Sequence, residues 1–309
     1  MSRPCFCAIG AIAVALAAAP TLARAQAFTP PDGVGAVTLA WQYVDNTGHR
    51  LSDGYFNPMG QSVTTSGLVE MEYGVTDRFT ATLGIPYVFA KYTGKNPPRS
   101  GLPVDTCRCW HSAFADFSAS VRYRFGDDAW AVTPVARFNQ PSHGYAYRGE
   151  AVVGRQLTEA QLGVSAGLRL TSVLPQLSLE GGYTYAFVEK VLDEISVNRS
   201  NVYAGVGYGV NRRLHLRAAW LWQHTHGGVR AGSLTGDPFP FPGELNTPER
   251  RAAGDRIFKV RYMQVAGGLS FNAGPIDLFA SYTNYVWGRD AHNGQILGAG
   301  VTWYFGFPE

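Results

Sequence analysis

The sequence predicts an all-β chain folded as a single transmembrane, antiparallel, up-and-down β-barrel of about 12 strands. Three observations carry this. Long segments alternate in polarity with a period of two, the connections alternate between tight turns and long loops, and no apolar run is long enough for a membrane-crossing helix.

The chain opens with Arg3, the apolar run "AIGAIAVALAAAP" and then "LARAQA", whose small residues suit a signal peptidase. Residues 1–27 are therefore expected to be a signal peptide cleaved after Ala25 or Ala27, leaving 28–309 as the barrel. No cysteine stands at the cleavage point, which argues against a lipid anchor. A mean hydropathy of -0.09 with 16% charged residues excludes a helical membrane protein. The 36 Gly, 16 Tyr, 17 Phe and 7 Trp favour sheet and tight turns. A net charge of +3 and the lack of a basic run with interleaved aromatics exclude a nucleic-acid partner.

Period-two alternation defines strands at 34–44, 62–73, 79–90, 113–125, 129–139, 157–170, 176–188, 200–208, 214–223, 257–271, 276–286 and 294–305. In the third, Phe79, Ala81, Leu83, Ile85, Tyr87 and Phe89 share one face, and Thr80, Thr82, Gly84, Pro86 and Val88 the other. In the fourth, Phe117, Ala119, Val121, Tyr123 and Phe125 oppose Asp116, Ser118, Ser120, Arg122 and Arg124. In the ninth, Leu214, Leu216, Ala218, Trp220 and Trp222 oppose His215, Arg217 and Ala219. Strands of this length suit a tilted bilayer crossing better than a soluble sandwich. The large apolar faces, with aromatics near their ends, are assigned to lipid and the small and polar faces to the lumen. In 257–271 the apolar parity switches from Phe258, Val260 and Tyr262 to Val265, Leu269 and Phe271, so a bulge is expected near Met263.

Tight turns are read at "GVTD", "GDDA", "SVLP", "GVNRR" and "NAGP". Between them stand long loops near 45–61, 91–112, 140–156, 189–199 and 224–256, and a short one near 287–293. Short turns on one rim and long loops on the other fit an outer-membrane barrel with periplasmic turns and extracellular loops. The last strand places Leu297, Ala299, Val301, Trp303, Phe305 and Phe307 in one register, similar to the C-terminal signal read by the barrel-assembly machinery, although Pro308 and Glu309 follow it.

"VEMEYGVTDRFTATLGIPYVF", "ADFSASVRYRF" and "LGVSAGLRL" resemble the outer-membrane proteins associated with the meta-cleavage pathway of phenol degradation, themselves distantly similar to long-chain fatty-acid transporter barrels. The resemblance spans most of 28–309 and rests on turn and strand residues. It implies an outer-membrane location and passive uptake of small hydrophobic or aromatic solutes, with membrane lipid and the assembly machinery as partners. It maps no substrate contact onto a numbered residue. The other readings are a structural or surface-binding barrel without transport and, last, an outer-membrane enzyme.

The expected lumen carries Arg122, Arg124, Arg137, Arg169 and Arg217 against Glu70, Glu72, Asp116, Glu180 and Asp277. Such mixed charge makes either a selectivity ladder or a salt-bridged wall. Cys107 and Cys109 are the two cysteines outside the signal peptide; they form a local disulfide or stay free. Together with His111, His224 and His226 they are weak metal-ligand candidates, matching no strong zinc or copper spacing, and no cofactor is expected. No Ser follows a His by two residues, and no G-x-S-x-G elbow or phosphate loop is present, so no catalytic activity is expected. Phe239 and Phe241, in the Pro- and Gly-rich 224–256 loop, are candidate ligand contacts over the mouth, and "AFTPPDGVG" is a candidate lumenal plug.

Overall fold

The computed structural model describes residues 27–58, 61–94, 102–170, 174–230 and 247–306, without the side chain of Arg251. Residues 1–26, with the first of the two expected cleavage points, Phe239, Phe241 and the terminal Phe307, Pro308 and Glu309 lie outside the described residues.

Twelve antiparallel strands close into a barrel. They are β1 (Gly35–Arg50), β2 (Ser62–Gly74), β3 (Phe79–Tyr92), β4 (Asp116–Tyr123), β5 (Trp130–Pro141), β6 (Glu159–Arg169), β7 (Leu177–Val188), β8 (Arg199–Gly209), β9 (Leu214–Thr225), β10 (Arg261–Asn272), β11 (Ile276–Arg289) and β12 (Ala291–Phe305). Each pairs with its neighbours in sequence, and β12 returns to β1 from Gly35↔Phe305 to Arg50↔Ala291. Closure satisfies the backbone of every strand and leaves no edge, as a hydrocarbon environment requires.

The tight turns are held by their own side chains. Asp127 Oδ1 accepts from the Ala129 and Trp130 amides, Asn211 Oδ1 from Arg213 and Leu214, and Thr76 Oγ1 from Arg78 and Phe79. Those two amide bonds hold the exposed Asp127 carboxyl below its usual range.

The face chemistry follows the alternation. Leu83 is 60% and Leu162 57% exposed on the outer wall, whereas Thr80 and Thr133 are 0% exposed inside. Pro86 interrupts the wall locally. It lacks an N–H, the register slips by one residue between Gly84↔Ser118 and Tyr87↔Phe114, and the Ala115 amide donates to the Pro86 carbonyl instead. The expected single strand at 113–125 is therefore broken into His111–Phe114, β4 and Phe125–Gly126.

Several expectations at the long-loop rim are corrected. β1 runs on to Arg50, and the 287–293 connection shrinks to Asp290, which takes φ 51° between β11 and β12. A register shift lies at Met263/Gln264, but the alternation along β10 never switches, because the extra residue is Val286 on β11. Phe258 and Val260 precede β10, and with Tyr262 they are buried inside the mouth, so their apolar character reflects internal packing.

Candidate functional site

The half of the lumen nearer the short turns is lined by a belt of charge. Arg122 on β4 pairs with Glu72 on β2 at 2.8 Å, both side chains about 11–12% exposed. Their register partners on the intervening β3 are Thr80 and Thr82, so two long side chains meet across small ones. Arg137 on β5 lies within electrostatic reach of Glu70 and Arg122. Glu180 on β7 and Arg217 on β9 line a small cavity together with Ala219, Gly268 and Ser281. Gly205 on the intervening β8 is what makes room: a Cβ there would lie 3.3 Å from Glu180 Cγ.

Of the candidate charges, then, Glu70, Glu72, Arg122, Arg137, Glu180 and Arg217 belong to this belt. Arg124 and Arg169 stand at the short-turn rim, Arg124 reaching the exposed Asp128 at 3.7 Å. Asp277, also near that rim, accepts from Tyr304 Oη at 2.8 Å. The segment at 27–29 enters the lumen beside Arg169. Ala27 is buried, its carbonyl accepts from Thr133 Oγ1, and the Phe28 ring lies 4.0 Å from the Arg169 guanidinium.

The half nearer the long loops is filled. Residues 149–155, between β5 and β6, are all buried yet form no strand or helix. Their apolar neighbours lie along β3 and the segments beside it. Ala151 and Val152 pack with Ala90, Tyr92 and Val104, and Val153 packs with Val88 and Ala115. Leu157 packs with Val188, Ile195, Val229 and Ile257. The anchor is Asp105 in α1 (Pro103–Thr106), whose carboxylate accepts from the Glu150 and Ala151 amides at 3.0 Å. Gly149, at φ 126°, permits the approach, since a Cβ there would lie about 2.5 Å from Val104. Tyr145 Oη accepts from the Gln156 amide at 3.0 Å and donates to Asp116, which places Asp116 under the loops and away from the belt.

Charge is buried in this half. Arg199 on β8 pairs with Glu159 on β6, both side chains at most 10% exposed. Asp255, in the 3₁₀ turn Gly254–Ile257 that follows α2 (Pro248–Ala253), is buried, as are Glu150 and Arg155. Burial, then the nearby Asp105 and Asp255, raises the Glu150 pKa well above the carboxylate range; burial likewise raises that of Asp255. None of these residues was singled out from sequence. The one available signal is "GEAVVGRQL", an apolar stretch with one glutamate and one arginine at the end of the long 140–156 loop.

The structure joins Cys107 and Cys109 as a disulfide, with His111 Nε2 3.2 Å from Cys107 Sγ and 2.8 Å from the Val104 carbonyl. These three residues form a group with ligand atoms within 4.8 Å of one another, but the disulfide leaves no thiolate to bind a metal. His224 and His226 are not part of that group; their rings lie 4.8 Å apart, and His226 Nε2 sits 2.7 Å from Ser200 Oγ.

No family model and no curated protein matches the sequence. Among solved structures, the chain is similar to the COG4313 outer membrane channel from Pseudomonas putida F1, with a TM-score of 0.66, 10% identity, and coverage of 91% of this chain and 98% of that one. It also matches the KdgM porin, with a TM-score of 0.47, 7% identity and coverage of 87% and 99%. A Pseudomonas aeruginosa FadL homologue gives a TM-score of 0.35 at 11% identity, covering 88% of each chain. The first of these supports the fold, that of an outer-membrane barrel.

Proposed function

We propose that this protein resides in the bacterial outer membrane, delivered by a cleaved signal peptide, with its short turns in the periplasm and its long loops outside. There it conducts small hydrophobic or aromatic solutes passively. One observation carries the reading. The closed barrel carries a belt of charged side chains in one half, and what fills the other half is loop, held by two carboxylate-capped amides and three small apolar patches rather than by a strand ladder. Elements held this way are drawn from the less stable end of a structure and open locally. The resemblance to barrels of the phenol meta-cleavage pathway supports the solute class.

The test is solute flux through purified protein in liposomes. Passage of small aromatic compounds above that of protein-free vesicles is expected. In the double variant Arg122→Ala with Arg124→Ala, which removes one arginine of the belt and one at the rim, the ratio of anionic to neutral flux falls if these arginines set selectivity, because fixed positive charge raises the local anion concentration. A wild-type permeability equal to that of empty vesicles rejects transport. It favours the second reading, a non-transporting surface or scaffolding barrel, which the filled mouth otherwise supports.

A further inference from the structure

The bulge on β11 re-aims two side chains. Thr283 and Tyr285 point inward and are buried, so strict alternation would send Trp287 and Arg289 inward as well. The extra residue at Val286 reverses the parity: Trp287 and Arg289 are exposed on the outer wall, and Gly288 between them is buried. Trp287 then stands opposite Met263, and Arg289 opposite Arg261, on β10. Met263 and Arg261 stand in turn opposite Trp222 and His224 on β9.

Three adjacent strands therefore end, on the long-loop side, in two outward rows. Trp222, Met263 and Trp287 form the inner row, next to an apolar wall on which Val265, Leu269 and Tyr282 are each more than 40% exposed. His224, Arg261 and Arg289 form the outer row, two residues farther along each strand. Register partners stand about 5 Å apart, so the three basic side chains span about 10 Å. The two rows touch: the Arg289 guanidinium lies 5.9 Å from the Trp287 ring centre, and the His224 ring stacks 5.5 Å from that of Trp222. His226 and Lys259 are also within electrostatic reach of His224.

Like charges directly opposite each other across a strand pair repel. Among the described residues neither Arg261 nor Arg289 has a carboxylate partner, and Arg261 Nε is buried without an acceptor. Such a row points to an anion supplied from outside the chain. The row beneath it says what carries that anion. Tryptophans of a barrel girdle stand at headgroup level, with the apolar wall running from them toward the bilayer centre, so the anion that fits is the head of an amphiphile.

We propose that this corner of the outer wall binds a phosphate-bearing lipid of the leaflet at the long-loop end. Arg261 and Arg289 take the phosphate through their N–H forks, His224 flanks it, and the acyl chains lie over the tryptophan row and the wall beyond. The inference rests on the outer-membrane reading for the leaflet engaged; the binding is measured without it.

The purified barrel in neutral detergent is mixed with dilauroyl phosphatidic acid or with dilauroylglycerol, which has the same chains and no phosphate, and bound lipid is counted by native mass spectrometry. Phosphatidic acid is expected to bind at least tenfold more tightly, and a hundredfold excess of inorganic phosphate to leave it bound, because the chains contribute. An arginine near an anionic headgroup contributes about fivefold, so Arg261→Gln with Arg289→Gln is expected to weaken phosphatidic acid tenfold or more. Arg212→Gln with Arg213→Gln removes the same charge from exposed positions in a short turn and is expected to leave binding unchanged. Should the first pair not yield a folded barrel, Arg289→Gln alone, at an exposed position, is expected to weaken binding severalfold. Equal binding of dilauroylglycerol, displacement by inorganic phosphate, equal loss in the two double variants, or undiminished binding by whichever folded Arg289 variant is obtained overturns the proposal. Orientation is read separately, from labelling of Tyr55→Cys, at a 57% exposed position after β1, by an impermeant maleimide on intact cells. Phosphate-selective binding with Tyr55→Cys unlabelled keeps the site and rejects the outside placement of the long loops; labelling without selective binding does the reverse.

Discussion

A single arginine on the outer wall tests the face assignment, because depth and face together fix its cost. Leu83 is 60% exposed on β3 and stands four residues beyond Phe79, where that strand begins. At a rise of about 3.3 Å per residue and a tilt near 40°, four residues climb about 10 Å from the short-turn rim. That is within a few Å of the midplane of an apolar band about 25 Å tall, where an arginine costs about 2–4 kcal/mol. Ala81 lies on the same face but only about 5 Å from the rim, near the interface, where the cost falls to about 0–1 kcal/mol. Thr82, between them in sequence, faces the lumen opposite Glu72, so an arginine there keeps water and an acid within reach. Urea titrations of folding into bilayers should therefore rank Leu83→Arg as the most destabilised, with Ala81→Arg and Thr82→Arg both milder. A Thr82→Arg variant as damaged as Leu83→Arg, or an Ala81→Arg variant equal to it, would refute the register.

Arg122→Ala removes the guanidinium held 2.8 Å from Glu72 in a nearly buried site and should cost about 3 kcal/mol, while Arg122→Met with Glu72→Gln recovers much of that; the same titrations check it. The filled mouth should respond to pH through Glu150 and Asp255, which face Asp105, Arg148 and Arg155. Both hold their protons above their ordinary values of 4.5 and 3.8, so the folded loops bind more protons than the opened ones. Loop packing is then most stable below the ordinary carboxylate range and weakens as pH rises through it toward the raised values. Amide exchange over 149–157 should accordingly be better protected near the acid end, after correction for intrinsic rates; protection that grows with pH would contradict the assignment. Gly149→Ala should loosen the same segment, since its φ of 126° and the close Val104 leave no place for a methyl group, and protease nicking within 142–158 would report it. Reduction of Cys107–Cys109 should leave heat-modifiability unchanged, because a bridge between residues two apart closes no long loop; a lost shift in gel mobility would show otherwise.

Much of the barrel was readable from sequence because its rules are local. A strand exposes alternate residues to opposite faces, so the lipid face of β3 and the inward set of β4 could be assigned without knowing any partner. Asp127, Asn211 and Thr76 close their turns through amides two or three residues away, so those turns too are legible in place. The same rule misread Tyr262. An apolar residue on the inward parity looked like a switch of face, whereas it is apolar because other loops pack inside the mouth. Asp105 and Glu150 are 45 residues apart, and no local pattern announces that one carboxylate caps the other's amide. Arg122 and Glu72 meet across a strand belonging to neither, and Arg155 acquires its surroundings from β8, β10, β12 and the turn at Asp255. Barrel wall and turns follow from periodicity and nearest-neighbour hydrogen bonds; the filled mouth and its buried charge depend on which distant segments closure brings together, and closure is a property of the whole chain.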